Sequence, residues 1–160
     1  MTEPLFTVVG SAHIAALDTF VASEVFRPQE VVDGVNITWV GQHFREFLLP
    51  LREAPAPRTT LREHSLRIDA RDAPERGRFL DRPGVVDELG GRDKIVIRLA
   101  QFWRYLTHAD TTRCYAGYVI GTNGMLFGVH AAWLRGGVHI ESGDFERPYR
   151  WGAGCIFLIP

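Results

Sequence analysis

Hydrophobic and polar positions alternate most regularly near the end of the chain. Three apolar, β-prone runs (113–122, 125–135 and 138–141) are separated there by Asn123-Gly124 and Gly136-Gly137. Both dipeptides suit a two-residue hairpin turn of type I′, which needs positive φ at both central positions. This predicts that Tyr118 faces Val129, Cys114 faces Trp133 and, across the second turn, Arg135 faces Val138. Side chains alternate with period two, so two faces separate. One is an apolar core face carrying Cys114, Ala116, Tyr118, Ile120, Phe127, Val129, Ala131, Trp133, Val138 and Ile140. The other mixes Gly117, Gly121 and Gly128 with Arg113, Tyr115, Val119, Leu126, His130, Ala132, Leu134, His139 and Glu141.

Upstream, Leu5–Val9 is a short apolar run, followed by Ser11 as a capping residue. From Ala12 to Phe26, Ile14, Leu17, Val21 and Val25 recur at spacings of three and four, predicting a helix that ends at Arg27-Pro28. Val35–Val40 alternates as a strand with Val35, Ile37 and Trp39 on one side. Gln42–Leu49 reads as a short amphipathic helix stopped by Pro50, with His43 and Arg45 toward solvent. Ala54-Pro55-Ala56-Pro57 is an extended connector. Thr59 to Asp69 reads as a charged edge strand with Leu66, Ile68 and His64 on its apolar side. Arg71–Gly84 is a loop, and Val85–Leu89 a helical turn. Asp93 to His108 is predicted as one helix, with Ile95, Leu99, Phe102 and Leu106 inward, widened by Val96 and Trp103, and Lys94, Arg98, Gln101 and Arg104 outward. Ser142–Arg150 is a loop, and Trp151–Ile159 returns as a final strand.

This order predicts a single α+β domain over residues 1–160: an antiparallel sheet of at least four strands, the C-terminal meander among them, with helices packed on one face. The element order is similar to the cone-shaped fold of nuclear-transport-factor-like proteins. The resemblance rests on order alone, and implies a pocket between sheet and helices suited to a small apolar ligand.

Composition adds exclusions. The 160 residues are 46% hydrophobic and 23% charged with a formal net charge of −1, which offers no electrostatic footprint for nucleic acid or an anionic membrane. No apolar run reaches the ~20 residues of a membrane span. Lys94 is the sole lysine among 18 basic residues, a skew of GC-rich, bacterial-type coding. Two cysteines, Cys114 and Cys155, are too few for a disulfide framework and point to buried thiols in a reducing cytoplasm. Neither phosphate-binding glycine motif nor nucleophile elbow is present.

Candidate chemistry gathers on the mixed face, where Arg113, Tyr115, His130, His139 and Glu141 are expected together. His139 and Glu141 point the same way, and His130 lies diagonally opposite Glu141. Such a set is a ligand-binding or interface surface. The favoured expectation is a non-catalytic module that self-associates as a homodimer, because Leu126, Leu134, Val119 and Tyr115 are much apolar surface to leave wet. The alternative is a small-molecule pocket or an acid–base or hydrolytic enzyme, with His139, Glu141 and His130 as its working groups. Those three are also a conceivable zinc trio, but no metal or cofactor is assigned, and the plainest reading is a solvated sheet face. The ligand itself is not readable.

Overall fold

A computed structural model describes residues 4–67, 83–144 and 154–160. Its elements are β1 (Phe6–Ile14), β2 (Phe20–Val21), α1 (Ala22–Val25), β3 (Val31–Val32), β4 (Val35–Val40), α2 (Gln42–Phe47), β5 (Arg52–Glu53), β6 (Thr59–Leu66), α3 (Pro83–Glu88), α4 (Arg92–Ile95), α5 (Leu99–Leu106), β7 (Cys114–Ile120), β8 (Leu126–Leu134), β9 (Gly137–Asp144) and β10 (Ile156–Ile159). Eight strands form one sheet in the order β1-β6-β10-β7-β8-β9-β4-β3, and β2 pairs with β5 separately. The β7-β8-β9 meander is present. The sheet is nevertheless mixed, because β10 lies parallel to β7 and β4 parallel to β9. The loop expected over 71–84 falls almost wholly outside the described residues, as do Ile68, Asp69, most of the loop over 142–150 and the start of the last strand.

Both hairpins turn one position away from the expected register. At the first, Gly124 adopts a φ of 79° while Asn123 stays in the ordinary negative range. The Gly121 amide donates to the Met125 carbonyl at 2.9 Å and the Gly124 amide to the Gly121 carbonyl at 3.0 Å. The loop therefore has three residues rather than two, the form in which one glycine in the left-handed region closes a type I turn. Tyr118 consequently faces Gly128, and Cys114 faces Ala132. An odd loop exchanges the two faces of β7 relative to β8.

At the second hairpin, Arg135 (φ 53°) and Gly136 (φ 84°) are the turn pair, and Trp133 faces Val138. Gly137 is needed elsewhere: a Cβ there would lie 2.2 Å from the Thr38 Cγ2 and 3.0 Å from the Asn36 carbonyl oxygen. It lets β4 close on β9. This loop keeps two residues, so the facing of β8 and β9 survives the shift. An arginine at positive φ is strained, and Arg135→Asn should raise unfolding free energy by about 0.5–1 kcal/mol in urea denaturation. An unchanged or lower midpoint would mean that the turn is not built this way.

The face exchange also redistributes the core. Tyr115, Val119, Phe127, Val129, Ala131, Val138 and Ile140 bury one face beneath Phe26, Phe44, Phe102 and Trp103. Ala116, Tyr118, Leu126, Cys155, Phe157 and Ile159 form a second cluster on the opposite face with Leu5, Phe6, Val86, Leu89 and Ile95. The expectation that helices cover one face alone is thus corrected, since α3 and α4 supply apolar cover on the other. The Glu88 carboxylate anchors that layer by accepting the amides of Leu5 and Phe6, each at 2.9 Å.

Five further expectations give way to tertiary contacts. The predicted helix from Ala12 is strand as far as Ile14, where β1 pairs with β6 along its length past a bulge between Val8 and Gly10. The helix expected over 93–108 breaks at Val96, which bridges to Tyr118, while the Ile97 amide donates to the Tyr118 carbonyl at 2.9 Å. The chain re-enters helix at Leu99, whose amide and that of Ala100 donate to the Glu53 carboxylate. Gln101 is buried there rather than outward, because its side chain accepts the Arg98 amide. Strand β6 is interior rather than an edge, flanked by β1 and β10. A register shift between Ile37 and Trp39 turns Trp39 outward and Val40 inward. Finally, α5 comes down close upon the sheet at Gly117, where a Cβ would lie 2.9 Å from the Ile97 Cδ1 and 3.3 Å from the Phe102 Cδ2.

Candidate functional site

The five residues expected on one face are divided between two. His130, His139 and Glu141 remain together, with His130 directly across from Glu141 rather than diagonal to it. His139 pairs with Ala132, and its ring lies 5.6 Å from that of Trp39. Tyr115 is buried on the opposite face, where its hydroxyl donates to the Asp110 carbonyl at 2.8 Å. Arg113 precedes β7 and is exposed, 3.9 Å from the Asp110 carboxylate. Gly117 leaves the mixed face as well and lies under α5. The apolar residues that suggested a homodimer are divided too. Val119, Tyr115 and Leu126 are buried within the chain, and of the four only Leu134 is exposed.

The exchange brings a different residue to His130. Ala116 is the register partner of His130, so Cys114, two residues before it, lies diagonally across on the same face. In β10, Ile156 pairs with Tyr115, which sets Cys155 alongside Cys114 on the neighbouring strand. The two sulfurs and an imidazole nitrogen of His130 lie within 4.8 Å of one another. Cys155 is fully buried, while Cys114 and His130 are half-buried. The site is thus closed at its floor and accessible at its rim.

Electrostatics distinguish the two thiols, neither of which is in a disulfide. The hydrogen bond from Cys155 holds the Cys114 thiol well below the usual range, helped by His130 and opposed by partial burial. Giving that bond to a thiolate, together with full burial, pushes Cys155 upward. Of the two, Cys114 is the thiol more readily deprotonated. A half-accessible thiolate beside an imidazole is the form in which cysteine ligates metal or attacks electrophiles. The cysteine content predicts two buried thiols and no link between them. Only the parallel β7–β10 pairing joins them, and alternation along a chain carries no signal for a parallel neighbour.

Tyr115 and Arg113 instead line a cavity of about 460 Å³ on the other side of the sheet, beside the end of α5. At its wall the Tyr105 hydroxyl donates to Glu63 Oε2 at 2.7 Å, and the Tyr105 ring meets that of Tyr115 edge-on at 5.1 Å. Burial, and then the bond to Glu63, push the Tyr105 hydroxyl far upward, so it remains a neutral donor.

No helix among the described residues is long and apolar enough to cross a membrane. No family model, curated protein or solved structure matches this chain.

Proposed function

We propose that this protein binds a zinc-class metal ion through Cys114, Cys155 and His130, with one coordination position left for water or a small ligand. The observation that carries the reading is the convergence of two sulfurs and an imidazole nitrogen within 4.8 Å. Two sulfurs on a tetrahedral zinc ion, each at about 2.3 Å from it, are roughly 3.8 Å apart. Closing the trio on an ion therefore asks for shifts of no more than about 1 Å, within reach of side-chain torsions. Thiolate and imidazole donors favour zinc or copper(I) over magnesium and calcium, which prefer oxygen. Three protein ligands with an open fourth position are the pattern of catalytic rather than structural zinc, and the half-exposed rim at Cys114 and His130 suits it.

In this reading Glu141, the register partner of His130, orients the imidazole, the usual role of a carboxylate behind a ligating histidine. His139 is not a ligand in this reading. The reducing, cytoplasmic setting expected from the cysteine content would keep both thiols available.

The test is direct. Protein prepared under reducing conditions, stripped with chelator and equilibrated with zinc should retain one equivalent per chain by elemental analysis after gel filtration. Retention of none, with both thiols confirmed reduced, would overturn the proposal.

A further inference from the structure

The cavity on the far face of the sheet is independent of the thiol centre and has its own polarity pattern. Its floor is apolar, from Ala12 and Ile14 of β1 and Ile156 of β10. Its wall holds Glu63, half-buried, with Oε2 accepting the Tyr105 hydroxyl. The other carboxylate oxygen lies against bare backbone: a Cβ on Gly10 would be only 2.9 Å from Glu63 Oε1. Strand β1 thus lacks a side chain where the carboxylate is seated. Two exposed cations, Arg104 and Arg113, also line the cavity. Asp110 is 3.9 Å from the Arg113 guanidinium, a loose contact between groups more than half exposed that is worth little in water.

These features select among ligand classes. Volumes of about 300–1,000 Å³ are those of small-molecule sites, so 460 Å³ suits a compact ligand. The charges of Glu63 and Asp110 balance those of Arg104 and Arg113, so the cavity is no trap for anions in general. It rewards a molecule with separated ends: a hydrogen-bond donor for a partly desolvated acceptor, an apolar body, and an anionic group for the arginines. Guanidinium recognises carboxylate in two-pronged fashion. An acceptor already withdrawn from water discriminates by what it loses when a donor is missing.

We infer that this cavity binds a small organic acid with an apolar or aromatic body and a hydroxyl at its far end, the hydroxyl donating to Glu63 and the carboxylate pairing with Arg104 and Arg113.

Calorimetry with three probes tests it on the full chain: 4-hydroxyphenylacetate, phenylacetate and 4-hydroxyphenylacetamide. The first should bind, and loss of either the hydroxyl or the charge should weaken binding about tenfold. In the double variant R104E/R113E, the hydroxy acid should lose its advantage over the neutral amide. Both substitutions are at exposed positions, and unchanged circular dichroism checks that the variant is folded. Equal binding of all three probes to the native chain, heat from none of them at millimolar concentration, or a folded double variant that keeps the native preference would each overturn the inference.

Discussion

Cys114→Ser is expected to cost zinc affinity on the order of a hundredfold or more, since even groups behind a ligand cost 10–100-fold when removed. The substitution keeps the shape of a half-buried side chain at the start of β7 and takes away the soft, charged donor. It leaves Cys155 buried beside a single imidazole. A second readout follows from linkage. Zinc at about a hundred times its dissociation constant stabilises the native chain by about 2.7 kcal/mol. For a domain of this size that is a rise of roughly 5–10 °C in melting temperature, which the variant should lack at the same zinc concentration. Without metal the two proteins should melt within a degree or two of one another. A variant that kept the zinc-dependent rise would remove Cys114 from the site.

Phe102→Ala should destabilise the fold by about 3–5 kcal/mol, a large fraction of the 5–15 kcal/mol that holds most domains together. Phe102 is fully buried, and its ring lies where a side chain at Gly117 would have to be. The cavity left behind is enclosed between helix α5 and the sheet at Gly117. The helix also carries Tyr105 to Glu63 and Trp103 to Phe26, whose rings are 5.1 Å apart, so loosening α5 should disturb the organic-acid cavity before the thiol centre on the other face. Thermal or urea unfolding measures the effect, with Ile120→Ala at a half-exposed position as the contrast. A loss below about 1 kcal/mol, typical of surface substitutions and mild core changes, would show that α5 does not anchor the sheet.

What the sequence made legible was local. Strand β4, helix α2, the turn of α3 and the three strands of the meander follow from apolar runs, alternation or helical spacing bounded by turn residues. The length of the first turn was not legible. Asn123-Gly124 suits a two-residue loop as well as the three-residue one that forms. The choice falls to packing beyond the turn: Phe127 stacks on Phe47 with ring centroids 5.2 Å apart, and Leu126 is buried on the opposite face. That single residue moved Tyr115 away from His130 and brought Cys114 to it. At the second turn, Gly136-Gly137 had the right composition, but Gly137 was committed to the approach of β4. The helix expected from Ala12 gives way to pairing: β1 runs with β6 as far as Ile14, Leu17 bridges to Ala56, Phe20–Val21 pair with β5, and helix survives over Ala22–Val25. Parallel neighbours are the least legible of all, and Cys155 reaches Cys114 only through one.

X-ray absorption at the zinc edge of the loaded protein tests the central claim most directly, because it identifies which atoms surround the ion. Two sulfur scatterers at about 2.3 Å with nitrogen or oxygen at about 2.0–2.1 Å is the result predicted by the Cys114–His130–Cys155 grouping. A shell of nitrogen and oxygen alone would place the ion elsewhere, at histidines and carboxylates such as His139 and Glu141, and would contradict the Cys114–His130–Cys155 site.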